Sequence, residues 1–325
     1  MLYVDCQSHV FPPAYAELLI RNRGWVRTVK QAGDYLVSYG DIQNFNLSLD
    51  SYELEKKLKD MDAAGIDASV LSMNIPGPEM LDAELQAEGA RMCNDYMAEL
   101  CARRPDRLAG IAVLPFHDPQ ATLAEFGRAR GELGLRAVNL YSHIGGRPVD
   151  DPAFESFYAE AERSGTPLVI HPTVPAWSEV IKDYSMITMF GLMVDHSIAM
   201  LRLIMGGVLE RHPGLKLVHP HCGGVLPYLM PRIVEQTEVK RRGREHIKKS
   251  PELYYKQVWL DIVSPALEAV RFAYDFAGPE RLLFGSDHPW VGIPMIKRLL
   301  EELPVDKSAK EKIAGLNAVE LFKLR

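Results

Sequence analysis

Eight short apolar, β-branched runs recur along the chain, and most are followed by a stretch with helical periodicity. No other feature restricts the fold as strongly. The runs are Leu2–Cys6, Ala68–Ser72, Leu108–Leu114, Arg136–Tyr141, Pro167–His171, Leu215–His219, Val258–Val263 and Leu282–Ser286. Most are continuously apolar rather than alternating, which is the pattern of parallel strands buried on both faces. Between them lie the amphipathic segments Tyr52–Ala64, Ala83–Arg103, Pro119–Glu132, Pro152–Ser164, Ile198–Arg211 and Pro265–Phe276. Gly65, Gly134, Gly165 and Gly214 stand just before strands, where a helix end favours a residue that tolerates the left-handed conformation. Eight strands alternating with helices predict an α/β chain folded as a distorted (β/α)8 TIM barrel. An open doubly wound sheet shares the strand count and is the alternative. The interval between the first two runs is the longest, and within it Gly24–Lys30 and Asp34–Tyr39 read as short strands. Residues 24–50 are therefore expected to form a small β insertion over the mouth of a single barrel spanning residues 1–325.

The ends of those runs carry chemistry. His9 lies just beyond the first, His171 closes the fifth, His219 and His221 close the sixth, and Asp287 and His288 follow the eighth. In a (β/α)8 barrel the strand C-termini converge on one mouth, so these side chains meet although they are far apart in sequence. Imidazoles and a carboxylate gathered there suit a divalent ion with a coordination position left open for water or substrate. His117 and His143 also follow strands and are candidate substrate contacts, whereas His196, His212 and His246 read as surface residues. Cys222, beside a Gly-Gly turn, reads as a small apolar filler rather than a nucleophile. Trp177 and Trp290 follow ligand-bearing loops and are candidate pocket walls.

Composition narrows the partners. Lys plus Arg number 37 against 43 Asp plus Glu, a net charge of −6, which argues against a broad nucleic-acid or anionic-membrane surface. The four cysteines are irregularly spaced, neither a disulfide framework nor a zinc knuckle, and fit a reducing compartment. No stretch of about 18 residues is apolar without a charge, and the N-terminus shows no basic leader. The expectation is a cytoplasmic protein with no nucleic-acid and no membrane partner. The basic run Lys240–Arg244 reads as a solvated helical face, with a subunit contact as the alternative. No nucleotide-binding glycine loop is present.

The chain resembles the amidohydrolase-related (amidohydrolase 2) branch of the amidohydrolase superfamily, and within it aminocarboxymuconate-semialdehyde, γ-resorcylate and 5-carboxyvanillate decarboxylases. The resemblance is carried by Leu203–Leu217, by His221–Pro227 with Arg232, by Met61–Ile66 and by Gly285–Pro289. It implies one divalent metal, most readily zinc, with manganese, iron or cobalt as alternatives. It places the ligands at Gln7, His9, His171 and Asp287. It implies acid–base roles for His221 and Asp287, and an arginine at Arg232 that reaches across a homodimer to hold substrate carboxylate. Trp177 and His288 join Arg232 as substrate-binding candidates. Two positions depart from the family. Gln7, a neutral amide, replaces a His or Glu ligand and should bind a transition metal more weakly, with His219 as a candidate compensation. No arginine occurs between Gly33 and Asp50, where the semialdehyde decarboxylase supplies one.

The reading that follows is a metal-dependent non-oxidative decarboxylase of a small unsaturated or aromatic carboxylic acid, a carboxy-lyase. A hydrolase of a lactone, ester or amide, or a hydratase, would use the same site. A non-catalytic, metal-poor homologue is the third reading.

Overall fold

The computed structural model describes residues 1–324. Eight strands form its main sheet: β1 (Val4–Val10), β2 (Ala68–Met73), β3 (Leu108–Ala112), β4 (Ala137–Tyr141), β5 (Leu168–His171), β6 (Leu217–His219), β7 (Trp259–Asp261) and β8 (Leu282–Leu283). They are ordered as in the sequence, and every neighbouring pair is parallel. Backbone bonds bring β1 against the segment after β8: Cys6 N–H donates to Phe284 O (2.9 Å), Asp287 N–H to Gln7 O (2.7 Å) and His9 N–H to His288 O (2.7 Å). The fold is an α/β barrel, as the strand pattern predicted, and an open sheet is excluded by these bonds. It is distorted because β8 has only two residues in regular pairing and the closing ladder runs through the irregular Phe284–His288.

Alternate strand residues fill the interior. Val4, Cys6, Val70, Ile111, Ala137, Val169, Val218 and Leu283 pack together with Ala318, Leu321 and Phe322 of the last helix. A larger apolar layer lies between the strands and the outer helices. Gly65 and Gly165 end their helices in the left-handed conformation, with φ of 66° and 63°. Gly214 shows no such conformation; its amide donates to Glu162 instead.

Three sequence expectations need correction. β1 extends to Val10, so Gln7 and His9 lie within the strand rather than beyond it. The helix expected over Ile198–Arg211 is two helices, Leu192–Met205 and Val208–Arg211, broken at Gly206-Gly207, where Gly207 has φ of 74°. One helical stretch, Ile187–Met205, is long and apolar enough to cross a membrane (mean hydropathy 1.5), and half of it is buried in the protein. Lys240–Arg244 is irregular rather than a helical face, and Arg244 pairs with Glu238.

Within residues 24–50 an antiparallel meander forms from Val26–Gln31, Asp34–Tyr39 and Gln43–Leu47. The third strand escaped the sequence reading because Gln43, Asn44 and Asn46 dilute its apolar content. Its pairing with Asp34–Tyr39 supplies the stability that its composition lacks.

Candidate functional site

The site begins with an irregularity in β1. Its register against β2 shifts between Asp5 and Ser8, the mark of a bulge, a device that re-aims side chains. Asp5, fully buried, holds the bulge to the end of the barrel: its carboxylate accepts from Gln7 N–H (3.2 Å), Ser286 N–H (2.9 Å) and Ser286 Oγ–H (2.6 Å). Gln7 and His9 both reach the mouth cavity. The His9 Nδ1 is tied to Ser72 Oγ on β2 (2.9 Å), which fixes the ring and leaves Nε2 at 2.8 Å from Asp287 Oδ1. On β5, His171 Nδ1 donates to Pro172 O (2.7 Å), so its lone pair sits on Nε2, buried and without a partner. The two rings lie edge to face with centroids 5.0 Å apart. Burial and the neighbouring His9 lower the His171 pKa to about 3, which keeps the imidazole neutral, the state a metal ligand requires.

Asp287 and His221 both adopt left-handed backbone, with φ of 64° and 54°, and Cys222 follows at 55°. Such conformations cost non-glycine residues roughly 1–3 kcal/mol each and persist where the surroundings enforce them. Here Asp287 N–H is held by Gln7 O, and His221 N–H by the buried Asp261 Oδ1 (2.7 Å), which also accepts from Val263 N–H (3.0 Å). Burial pushes the Asp261 carboxyl up to about 8. At Asp287 burial opposes ionisation, but the His9 hydrogen bond and the facing histidines outweigh it and hold the carboxyl below its ordinary value. Burial likewise lowers the His221 imidazole, partly offset by Asp287. Gln7 links the two: its Nε2 lies 3.3 Å from His221 Nε2 and 3.5 Å from Asp287 Oδ1, and its Oε1 is buried without a partner.

These five side chains line one cavity of about 310 Å³ at the strand C-termini. The rest of its wall is largely apolar, with Phe45 of the meander, Ile75, Val174, Leu192, Met193 and Trp290. Among the described residues no lysine or arginine lines it.

Several sequence candidates lie elsewhere. His219 is fully buried, bonded through Nε2 to His196 Nδ1 and through Nδ1 to Tyr255 (each 2.7 Å), and does not compensate for Gln7. His288 turns outward from the mouth: Nδ1 meets Lys57 Nζ at 2.9 Å and Nε2 meets Asp60 at 3.0 Å. Trp177 is anchored to Asp195 (2.9 Å), and Trp290 is the tryptophan that walls the cavity. His117 and His143 line a separate cleft. His196 and His212 are buried, not surface residues, because each finds ring-nitrogen partners inside the fold; His246 is exposed as expected. Cys222 is a buried filler whose thiol burial pushes up, out of the nucleophilic range. Arg232 is exposed, on the helix Leu226–Val234 beside exposed Tyr228 and Leu229. Sequence reasoning missed Phe45, Asn74 and Met193, which line the cavity from the meander, the loop after β2 and the helix Leu192–Met205 without any distinguishing spacing.

The donors fit a divalent cation. Two imidazoles, His9 and the neutral His171, offer inward nitrogens, Asp287 offers a carboxylate held below its ordinary pKa, and an amide oxygen is buried without a partner. Among the described residues no three His, Cys, Asp or Glu side chains already stand as a finished coordination sphere, so the donors are gathered rather than closed onto one point. Fold and site together define an α/β barrel with an imidazole–carboxylate centre at the C-terminal ends of its strands. The chain belongs to the amidohydrolase family, whose model matches residues 4–324. It is 31% identical over 284 residues to γ-resorcylate decarboxylase of Rhizobium radiobacter, covering 83% of this chain and 87% of that protein. Among solved structures, 5-carboxyvanillate decarboxylase from Sphingomonas paucimobilis superposes with a TM-score of 0.88 at 25% identity, over 100% of this chain and 99% of that one. Dihydroxybenzoic acid decarboxylase from Polaromonas sp., holding manganese and the inhibitor 2-nitroresorcinol, gives 0.83 at 23% identity, over 99% of this chain and 97% of that one. The expected family is thus correct, and these relatives are decarboxylases.

Proposed function

We propose that this protein is a metal-dependent, non-oxidative decarboxylase of a small aromatic or unsaturated carboxylic acid. The observation that carries this reading is the cavity itself. Its size and largely apolar wall suit one substituted ring, and its ionisable groups, His9, His171, His221 and Asp287, gather with Gln7 at the strand ends. His9 Nε2, His171 Nε2 and Asp287 Oδ1, with Gln7 Oε1 as a weaker fourth donor, would hold one divalent ion, zinc by the chemistry of this set. When bound, the ion supplies Lewis-acid polarisation of substrate oxygens. His221 delivers a proton to the carbon that bears the carboxylate, and Asp287 accepts a proton from substrate. The carbon–carboxylate bond then breaks, its electron pair stays with the ring carbon, and CO2 leaves. The left-handed turn pinned by Asp261 holds His221 at the cavity, so this transfer needs no rearrangement.

Among the described residues no lysine or arginine lines the cavity. This supports a homodimer in which the exposed Arg232 enters the partner's site and grips the carboxylate bidentately. The meander at 24–50, which contributes Gln43 and Phe45, roofs the site of this single barrel.

The test is CO2 release from a panel of hydroxybenzoates and unsaturated diacids by protein reconstituted in turn with Zn, Mn, Co and Fe. Stoichiometric CO2 with a protonated product is expected, highest with zinc. Hydrolysis of lactones or esters without CO2 would overturn the decarboxylase reading, and inactivity with every metal would favour the non-catalytic one. Mixing an inactive Arg232→Gln variant with an inactive His221→Asn variant tests the dimer: shared sites should restore part of the activity.

A further inference from the structure

Behind His171, away from the cavity, lies a second polar cluster that the proposed reaction does not use. Glu79 stands in the short turn Pro78–Met80 after β2, 1% exposed, and neither of its carboxylate oxygens has a hydrogen-bond partner of ordinary geometry; only the backbone N–H groups of Gly77 and of Glu79 itself approach it. The hydroxyls of Tyr15, Tyr39 and Tyr141, all fully buried side chains, likewise lack a partner at ordinary hydrogen-bond geometry, as do Asn139 Oδ1 and Thr173 Oγ1. Glu79 and Tyr141 face each other across Gly77: a Cβ there would lie 2.3 Å from both Glu79 Oε2 and the Tyr141 hydroxyl. The Glu79 charge is felt by all three phenols, and weak side-chain hydrogen-bond contacts link Tyr39 to Thr173 and Tyr141 to Asn139. Seven oxygens, two of them from Glu79, therefore collect in one region from the helix after β1, the meander, the β2 loop, β4 and the β5 loop.

A buried carboxylate must be neutralised, by a proton, a basic side chain or a bound cation. No lysine, arginine or histidine acts on Glu79 among the groups that set its ionisation. On the same wall, His143 is committed through Nε2 to Val174 O (2.9 Å) and through Nδ1 to Gly146 N–H (3.0 Å), and Arg147 is paired with Asp151. A proton on Glu79 satisfies its charge and at most one neighbouring acceptor, leaving the other oxygens as they are. A hard cation satisfies the charge and the lone pairs together, and an all-oxygen shell selects such ions. With one carboxylate present, a single positive charge leaves the site neutral, whereas a divalent ion leaves an uncompensated buried charge. Glu79 also forms part of the wall of a cleft of about 560 Å³ shared with Trp25, Gln86 and His117.

We propose that Glu79, Tyr15, Tyr39, Tyr141, Asn139 and Thr173 form a binding site for a monovalent alkali cation, sodium or potassium, separate from the divalent centre. Its occupancy ties the meander to the barrel. Tyr39 lies in the meander strand that pairs with the one carrying Phe45, and the Tyr141 ring packs against His171 with centroids 5.5 Å apart. The site thus braces one wall of the cavity and the ring of a candidate metal ligand.

The experiment is thermal unfolding of the purified, metal-loaded protein at constant ionic strength, with choline chloride replaced stepwise by NaCl or KCl. A saturable rise in Tm of several degrees with one of these ions is expected, as binding to the native state alone requires. In Glu79→Gln the rise should vanish, and in Tyr39→Phe, which keeps the packing, it should require a several-fold higher ion concentration. Crystals soaked in thallium(I) should show an anomalous peak among these oxygens. Identical Tm in choline, sodium and potassium, with no thallium peak, would overturn the proposal and leave Glu79 as a protonated acid among waters. Neither readout depends on turnover, so failure here and failure of the decarboxylase reading are distinguishable.

Discussion

His9 and His171 each hold one ring nitrogen in a structural bond and aim the other at the cavity. His219 and His288, also at or just past strand ends, have both nitrogens engaged, the first by His196 and Tyr255 and the second by Lys57 and Asp60. Four similar sequence positions thus separate into two roles. What divides them is the partner available on the far side of each ring. A hydroxyl or carbonyl behind the ring turns the other nitrogen into the cavity, free at His171 and facing the cavity carboxylate of Asp287 at His9, as for metal-ligating histidines generally, whereas partners outside the cavity on both sides make the ring part of the scaffold. The comparison predicts which substitutions will act on metal and chemistry and which on stability alone.

The largest effect belongs to the cavity-facing set. His171→Ala and Asp287→Asn should each reduce bound divalent metal, measured by elemental analysis, to a small fraction of an equivalent. Activity should fall by roughly 10³-fold or more, since ion and proton acceptor are lost together. Chelation should abolish activity in the unmodified protein, and metal addition should restore it there but not in these variants. Full metal occupancy in His171→Ala would break the distinction between the two sets.

His221→Asn comes next. With acid–base transfer removed and the ligands intact, activity should drop by about 10²–10⁴ while metal content stays near one equivalent. Loss of the metal instead would move His221 into the ligand set.

Gln7→Glu tests the family departure from the other side. An ionised oxygen at the position of an amide oxygen should raise divalent metal affinity, by roughly 10-fold or more, in a competition titration against a chelator. Unchanged affinity would mean that Gln7 holds His221 and Asp287 in place and does not bind metal.

The scaffold set gives smaller, purely structural effects. His219→Phe leaves His196 unpartnered and Tyr255 with only its long bond to Gly223 O (3.5 Å), and should cost roughly 1–3 kcal/mol, read by chemical denaturation, without altering metal content. A change in metal content would place His219 with His9 and His171.

How far these roles were legible in the sequence follows from the same distinction. The barrel was readable because continuous apolar runs and helical segments report burial on two faces, a local property. The convergence of His9, His171, His221 and Asp287 followed from topology once the barrel was granted. What the sequence could not carry was side-chain direction. Nothing local to Val218–His221 says that His219 meets Tyr255 from a distant helix, and nothing in Asp287–Pro289 says that Lys57 claims His288. Phe45 was hidden for a related reason: its strand exists because Asp34–Tyr39 pairs with it, not because its own residues favour extension. The Glu79 cluster was invisible because its members come from five segments and match no spacing.

That cluster supplies the most specific prediction, one that depends on pH. Burial raises the Glu79 carboxyl to about 8, well above the 4.5 of a free side chain. Between those values the folded protein keeps a proton that the unfolded chain has released, so Glu79 makes stability fall as pH rises across this window and level off above it. The slope has a ceiling of about 1.4 kcal/mol per pH unit. Denaturation curves from pH 5 to 9 in choline buffer should show this component in the unmodified protein and lose it in Glu79→Gln. In sodium or potassium the bound cation competes with the proton, so the slope should flatten toward that of the variant. A slope indifferent to Glu79→Gln would mean that the carboxyl is ionised across the whole window and is neutralised by some group other than a proton.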